Sequence, residues 1–240
     1  MRPLSDADIV RVWERGCRAT RTRRAMALIA AASDDTDDGE LASLTPGERD
    51  ARLLSIRSTT FGRALDCVAS CPSCGEQLEF VIETTALLSD PNYSATRNPT
   101  TLTTGDYRVT VRPPTIGDVE ALSHTSGESL LGRCVVHAEH AGESVAPSEL
   151  PSSVVTAIDE YLGTADPAAI AELSMSCPSC AHSWTQLFDI ASYLWSEISA
   201  RAERLLNEVH VLARAYGWSE SAILRLGPTR RARYLELVRG

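Results

Sequence analysis

Residues 67–80 read CVASCPSCGEQLEF, and residues 173–188 read LSMSCPSCAHSWTQLF. The motif CPSC occurs in both, and apolar residues alternate with polar ones on its two sides. This pattern predicts a strand, a tight turn and a second strand in each stretch. The sequence therefore predicts two similar hairpins with a pair of cysteines at each tip. The four cysteines of the two motifs are Cys71, Cys74, Cys177 and Cys180.

The spacing of these cysteines is typical of a structural metal site. Two residues between cysteines let both thiolates face one ion while backbone amides of the turn donate hydrogen bonds to the sulfurs. Two such turns supply a closed tetrahedral ligand set, which suits zinc because zinc imposes no geometry of its own. Iron is the alternative ion for four thiolates. We expect one structural zinc shared by both motifs, with no open position for catalysis.

The two motifs are far apart in the chain, because residues 75–176 lie between them. The entropy cost of closing a loop grows only logarithmically with its length, so a metal can hold the ends of a long insertion together. The insertion must then leave and return at neighbouring strands.

A different interpretation of CPSC is a redox pair, because some disulfide oxidoreductases have the same spacing. In those enzymes the motif lies between a strand and a helix whose N-terminus lowers the thiol pKa. Here a second strand is predicted after each motif, and two copies with matched flanks favour shared ligation. His182 could replace one cysteine as a ligand, but we interpret it as a surface histidine.

Other candidate residues carry weaker signals. His137 and His140 lack the helical H-E-x-x-H spacing of a catalytic zinc site, so we interpret them as part of a polar stretch. The remaining cysteines are predicted to be buried thiols, and clustered arginines are predicted to be solvated helix faces. These residues are Cys17, Cys67 and Cys134, with Arg21, Arg23 and Arg24 as the N-terminal arginines.

Composition excludes several classes of function. The chain has 240 residues and a formal net charge of -9, and all of its 23 basic residues are arginine. An acidic chain lacks the positive charge that general nucleic-acid binding needs, although it suits docking to basic protein surfaces. No run of 18 apolar residues predicts a membrane span, and the first residues lack the pattern of a signal peptide. We expect a cytoplasmic protein with free thiols, no membrane insertion and no small-molecule substrate.

Helical patterns are clearest near the two ends of the chain. Ser5 and Asp8 have capping-box spacing before helical stretches that extend to about Ala32. Thr45 and Glu48 repeat that spacing before a second helix. Near the C-terminus, an apolar stripe runs from Asp189 to a glycine stop at Gly217, and shorter helices are predicted at 219–226 and 228–238.

The rest of the chain gives more local signals. Like charges predict an acidic loop at 33–40, and Pro, Asn, Ser and Thr predict a long loop at 89–105. A strand is predicted at 107–111 and a helix from Pro114–Thr115, with further helices at 151–162 and 167–172.

These signals together predict an α+β fold that is mainly helical, with an embedded four-cysteine, zinc-ribbon-like antiparallel β unit split by a long insertion. We divide the chain into an N-terminal helical region (1–62), a ribbon core (63–83 and 173–190), a mixed α/β insertion (84–172) and a C-terminal helical region (191–240).

Three stretches also carry a resemblance to a known family. They are RDARLLSIRSTTFGRALDCVASCPSCGEQLEF (49–80), ADPAAIAELSMSCPSCAHSWTQLFDIASYLW (165–195) and EVHVLARAYGWSESAILRLGPTRRARYLELV (208–238). The chain resembles the baseplate hub assembly chaperones of T-even-type phages, especially members encoded with phage-tail-like contractile injection systems. The last stretch is the most specific part of the resemblance.

The resemblance implies a role in building the baseplate, with no reaction and with other baseplate or hub proteins as partners. Members of the family either remain in the hub or act only in its assembly, and the resemblance leaves both roles open. We expect the C-terminal helices to form part of a partner surface. Its candidate residues are Trp218, Arg230, Arg231 and Tyr234.

The main alternative is a zinc-ribbon regulatory or adaptor protein that binds nucleic acid or transcription machinery. That function predicts a basic groove and salt-sensitive binding, which the net charge argues against. A thiol oxidoreductase is a third class, and it predicts a reactive cysteine of low pKa rather than protected thiolates.

Overall fold

The structure of the protein is a computed structural model that describes residues 1–33, 37–87, 93–122 and 129–239. The helices are α1 (Asp6–Gly16), α2 (Arg21–Ala31), α3 (Asp38–Ala42), α4 (Pro46–Phe61), α5 (Thr84–Leu87), α6 (Ile116–Leu122), α7 (Leu130–Cys134), α8 (Ser152–Ala165), α9 (Ile190–Tyr216), α10 (Glu220–Leu224) and α11 (Pro228–Arg239). The strands are β1 (Ala64–Ser70), β2 (Gln77–Glu83), β3 (Thr100–Thr104), β4 (Tyr107–Val111), β5 (Val135–His140), β6 (Glu143–Ser144), β7 (Ala171–Ser176) and β8 (Ser183–Phe188).

The chain divides into two compact units. One, here called the helical unit, comprises Met1–Asp35, Leu53–Arg63 and Asp189–Gly240. The other, here called the ribbon unit, comprises Thr36–Arg52 and Ala64–Phe188. The α+β fold with small antiparallel sheets is therefore confirmed. The predicted division into four regions stays a prediction.

Among the helices of the described residues, none combines the length and the apolar composition of a membrane span.

The helical unit is built around α9. Its apolar stripe is buried where α1, α2, α10 and α11 pack against it, with Leu194, Ile198 and Leu205 fully inaccessible to solvent. Helix α9 ends at Gly217, whose φ of 67° is the left-handed conformation that glycine adopts without steric cost. The predicted long C-terminal helix and the two helices after it are thus confirmed.

The N-terminal region is helical to Ala31, as predicted, and it contains two helices. Ser5 and Asp8 form the predicted capping box, but the helix ends at Gly16. Thr20 then caps a second helix by accepting a hydrogen bond from the Arg23 amide, so the stretch forms α1 and α2 with a turn between them. The side chain of a Thr outside the helix satisfies an amide that a continuous helix would have bonded to its own backbone.

The ribbon unit contains a four-stranded antiparallel sheet with strand order β3-β4-β5-β6. Helix α8 covers one face of it, and Val154 and Ile158 of α8 share a buried cluster with Val109, Val111 and Ala138 of the sheet. The same unit contains two separate hairpins, β1-β2 and β7-β8, which are the two hairpins predicted from the CPSC motifs.

Two predictions for the insertion are wrong. The loop predicted at 89–105 contains β3, which pairs with β4 along its whole length, while residues 88–92 lie outside the described part. The helix predicted at 167–172 is a single 3-10 turn at Pro167–Ala169 followed by β7, because pairing with β8 takes over from local helix signals. Of the predicted acidic loop, residues 34–36 lie outside the described residues and Asp38 begins α3.

The buried carboxylate of Glu48 joins the beginning of α4 to the insertion. The capping box of α4 forms as predicted, with the Thr45 amide donating to Glu48 at 3.0 Å. Arg97 donates two further hydrogen bonds to Glu48, at 3.0 and 2.6 Å. Burial by itself would raise the pKa of Glu48, but the hydrogen bonds from the Thr45 amide and from Arg97 outweigh it and lower that pKa.

A second buried carboxylate extends this anchoring. Asp166 accepts hydrogen bonds from the Gly47 amide at 2.9 Å and from the Tyr93 hydroxyl at 2.7 Å. A Cβ atom at Gly47 would lie 2.0 Å from the Asp166 carboxylate, so only glycine fits there. These contacts join the beginning of α4 to the residues just before β7.

Candidate metal centre

The four cysteines of the CPSC motifs meet at one point in the ribbon unit. Their sulfur atoms all lie within 4.8 Å of one another. The sulfurs of Cys71 and Cys180 are 3.7 Å apart and those of Cys74 and Cys177 are 3.6 Å apart, so each of these pairs joins one motif to the other. In a disulfide the two sulfurs stand about 2.05 Å apart, which excludes such a bond here.

These distances fit a metal-bound thiolate cluster. Four sulfurs placed tetrahedrally around zinc, at a Zn–S distance of about 2.3 Å, stand about 3.8 Å apart. In the described part of the chain, these cysteines are the only group of three or more potential ligands placed to hold a metal. Cys71, Cys74, Cys177 and Cys180 would thus hold one ion, which would act as a crosslink between the two hairpins.

The backbone has the same conformation in both motifs. The Cys71 amide donates to the Glu76 carbonyl at 2.8 Å, and the Cys177 amide donates to the His182 carbonyl at 2.9 Å. The Gly75 and Ala181 amides donate to the carbonyls of Cys71 and Cys177, each at 2.9 Å. Each motif is a closed turn between two antiparallel strands, so the sulfurs are held in place by hairpin geometry rather than by a helix N-terminus.

The local environment makes the two cysteines of the first motif unequal. Burial of the Cys71 sulfur opposes its ionisation, but the amides of Cys74 and Ser73 donate to it and lower its pKa to about 7. At Cys74, a hydrogen bond from the Glu76 amide lowers the pKa, yet the neighbouring thiols of Cys180 and Cys177 raise it to about 12. Sulfurs this close together cannot all ionise without a cation among them.

The residue after the second cysteine of each motif has a left-handed backbone. Gly75 has a φ of 77° and Ala181 has a φ of 57°, although alanine pays a steric penalty there. The signal for this equivalence is present in the sequence, where the two motifs and their next residues read CPSCG and CPSCA.

We therefore expect Gly75→Ala to lower the free energy of unfolding by about 1 kcal/mol, because the new Cβ must adopt a positive φ. Ala181→Gly is expected to leave stability within about 0.5 kcal/mol, since the steric relief offsets the greater entropy of the unfolded chain. Urea denaturation of both metal-loaded variants measures this difference. Equal losses in the two variants would contradict the prediction.

Within the described residues, no histidine and no further cysteine is grouped with these four as a potential ligand. His182 is exposed, and its ring stacks over Trp184 with the centroids 6.1 Å apart. The Nε2 atom of His137 lies 2.8 Å from a carboxylate oxygen of Glu139, whereas His140 stacks on Tyr107 from the opposite face of β5.

The prediction of three buried thiols is right for one residue. Cys134 is buried, and burial raises its pKa to about 11. Cys67 is half-buried. Cys17 is exposed because it follows the end of α1, where its amide and its thiol both donate to the Trp13 carbonyl.

The four residues predicted for a partner surface fall in different environments of the helical unit. Trp218 stacks on Tyr216 with ring centroids 4.7 Å apart, and Tyr234 meets Trp218 edge-on at 4.8 Å. Arg230 is exposed, whereas Arg231 is only 1% exposed.

The buried position of Arg231 has a clear structural cause. Its guanidinium donates to Glu208 of α9 at 2.5 Å, to Asp6 of α1 at 2.5 Å and to the Leu226 carbonyl at 3.2 Å. Arg201 of α9 donates to the other oxygen of Asp6 at 2.9 Å. Arg231 therefore joins three helices, and direct contact with a partner, as suggested from sequence, is incompatible with this burial.

The hairpins, their matched turns and the four converging sulfurs define a zinc-ribbon-like unit inserted in a mainly helical chain. The sequence model of the family described as T4 bacteriophage base plate protein matches residues 21–195, and the chain belongs to this family. The resemblance to T-even-type baseplate proteins is thereby confirmed at the level of the family. Comparison with curated proteins gave no match, and comparison with solved structures gave none either.

Proposed function

We propose that the protein is a non-enzymatic baseplate assembly or hub-associated structural protein of a contractile phage tail or a phage-tail-like injection system. The observation that carries this proposal is the family match over residues 21–195, which includes both cysteine motifs. Members of a baseplate family act through contacts with other proteins of the particle, so those proteins are the proposed partners. Assembly takes place in the cytoplasm on this proposal, and the protein is either retained in the particle or released.

We propose that the ion held by the four cysteines is zinc. The support is the ligand set, since four cysteine sulfurs within 4.8 Å of one another, with two of the pairs at 3.6 and 3.7 Å, suit tetrahedral zinc. Four protein ligands leave no position for a substrate or an activated water, so the ion would be structural. Its role would be to keep the two hairpins fixed to each other while the protein binds partners.

An aromatic surface in the helical unit is the proposed docking site for one partner. It consists of Tyr216, Trp218 and Tyr234, together with the exposed Arg230. Tyr216 is 39% exposed although its ring also packs against Trp218 and Tyr234, so the cluster presents aromatic area to solvent. Aromatic residues and arginine are the residue types most enriched in the energetic centres of protein interfaces.

Removing the gene from cells that produce the particle tests the proposed function. We expect loss of complete baseplates in electron micrographs, with restoration when the wild-type chain is supplied in trans. Particles of normal number and shape without the protein would overturn the proposal.

A charge reversal tests the aromatic surface separately. Arg230→Glu is expected to reduce the yield of complete particles at least about tenfold, because the hot-spot arginine of an interface contributes 1.4 kcal/mol or more, on the order of a tenfold change in affinity. Arg18→Glu is the matched control, since Arg18 is an exposed arginine in the turn between α1 and α2. Equal yields from the two variants would exclude this surface, without bearing on the family role.

The alternative of a nucleic-acid-binding zinc ribbon has less support. The chain carries a net charge of -9, and the exposed faces of the hairpins carry Glu79, Glu83 and Glu172. Such a surface repels phosphates rather than neutralising them. Salt-sensitive binding of the metal-loaded protein to DNA or RNA in a gel-shift assay would favour the alternative.

A further inference from the structure

The two hairpins resemble each other beyond their cysteines, because each has an exposed aliphatic side chain that metal binding does not require. Val81 lies seven residues after Cys74, and Leu187 lies seven residues after Cys180. Both point to the exposed face of their hairpin, where Val81 is 62% exposed and Leu187 is 63% exposed. An exposed aliphatic side chain at one position is ordinary, but the same exposure at equivalent positions of two hairpins indicates a shared use.

An acidic residue lies directly opposite each of these side chains. Asp66 pairs with Val81 across β1-β2, and Glu172 pairs with Leu187 across β7-β8. Each acidic residue is five positions before the first cysteine of its motif, so the whole pair is repeated. Directly opposite residues in an antiparallel pair have Cβ atoms about 5 Å apart, which places a carboxylate beside each aliphatic group.

The exposed face of the β1-β2 hairpin has one more acidic side chain and one more aliphatic side chain. Glu79 and Val68 face each other on the same side of β1-β2, and Val68 is 65% exposed. Within the described residues, Glu79 and Glu172 form no ion pair, so their charges are available to a partner.

We propose that these two hairpin faces are equivalent docking patches, each of which binds a protein segment with an apolar side chain flanked by arginine or lysine. The charge of the patches selects a basic partner, and the aliphatic side chain supplies apolar area for it to cover. The proposal rests on the proposed baseplate function, because that function determines which proteins the patches would bind.

The metal cluster makes these faces suitable for binding. Both hairpin tips are held at the four cysteines, so little conformational entropy remains to be lost when a partner docks. A segment that binds one patch would meet an aliphatic and an acidic side chain at the same positions of the other, although Ser174 and Thr185 replace the pair Val68 and Glu79 in the second hairpin. This distinguishes the patches from the aromatic surface of the helical unit, which is not repeated.

Photo-crosslinking of the full-length protein in particle-producing cells tests the proposal. The photoreactive residue benzoylphenylalanine replaces Val81 or Leu187, and mass spectrometry identifies the crosslinked protein and segment. We expect both positions to crosslink to segments that contain arginine or lysine beside an apolar residue. The control position is Val136, which is also an exposed aliphatic residue of a strand in the ribbon unit and should give no such crosslink.

Charge reversal adds a quantitative readout. Glu79→Arg should lower crosslinking at position 81 at least about fivefold, and Glu172→Arg should do so at position 187, because each places a positive charge against a basic partner. Glu143→Arg, at an exposed glutamate of β6, should change neither yield.

The outcomes separate the docking patches from the proposed function. Crosslinks to nucleic acid, to a second copy of the chain or to segments without basic residues would overturn the patches, as would crosslinking from only one hairpin. Absent crosslinks in cells whose particles still require the gene would overturn the patches alone. Crosslinks to a basic segment of a protein outside the particle would support the patches and count against the baseplate function.

Discussion

Replacing Cys177 by serine is expected to remove the bound metal and to lower the free energy of unfolding of the ribbon unit by more than about 3 kcal/mol. Cys177 is buried, and its sulfur is 3.6 Å from that of Cys74 in the other motif. A serine hydroxyl is a poor zinc ligand, so the remaining sulfurs would lose the cation that lets them approach one another. Elemental analysis and urea denaturation measure the two effects.

Cys71→Ser must give the same result, because the first motif supplies half of the ligand set. Cys17→Ser is the matched control: Cys17 is an exposed cysteine of the helical unit, and its loss should change neither the metal content nor the stability by more than about 0.5 kcal/mol. Two ions per chain, or an ion that survives either ligand substitution, would show that the motifs do not share one site.

The same preparation identifies the ion. Zinc at about one ion per chain agrees with the proposed function, and a strong chelator should then unfold the ribbon unit. Iron in its place would contradict the proposed zinc but leave the shared four-sulfur site intact. A metal-free protein with freely titrating thiols would contradict both and would favour redox chemistry.

The cysteine cluster could be predicted from sequence because its information is local. Two residues between cysteines and alternating flanks specify each hairpin, and the number of ligands that an ion requires joins the two motifs. Helix ends were predictable for the same reason, since capping residues such as Thr45 and Glu48 lie within four positions of each other.

The four-stranded sheet could not be predicted in this way. Strand β3 reads TTLTT and β5 reads VVHAEH, and neither alternates clearly between apolar and polar residues. Their pairing with β4 and the covering by α8 determine that they are strands, and those partners are distant in sequence. The first two residues of β7, Ala171 and Glu172, were assigned to the predicted helix at 167–172 because Pro167 has the signal of a helix start, whereas their partners in β8 follow only after the cysteine motif.

The case of Arg231 shows the same limit for a single residue. In the sequence it is one of several arginines near the C-terminus, and nothing nearby distinguishes it from Arg230. Its partners Asp6 and Glu208 are remote along the chain, and only the packing of α11 with α1 and α9 brings them together. An ion pair of this kind carries no sequence signal of its own.

Arg231→Ala is therefore expected to lower the free energy of unfolding of the helical unit by more than about 2 kcal/mol, because it removes a buried guanidinium that donates to two partly buried carboxylates. Asp6 would retain Arg201, but Glu208 and the Leu226 carbonyl would lose the hydrogen bonds that Arg231 donates. Arg230→Ala, at the adjacent exposed position of the same helix, should cost less than about 0.5 kcal/mol. Urea denaturation followed by tryptophan fluorescence compares the two variants.

Equal stability of the two variants would contradict the contacts of Arg231 with Asp6 and Glu208. It would also contradict the packing of α11, which places Tyr234 in the aromatic surface. The expected difference instead means that Arg231 stabilises the fold, whereas Arg230 is exposed for contact with a partner. A variant that replaces both arginines would destabilise the helical unit and so prevent particle assembly, whether or not the aromatic surface binds a partner. Only Arg230, which is exposed while α11 remains packed through Arg231, can report on docking.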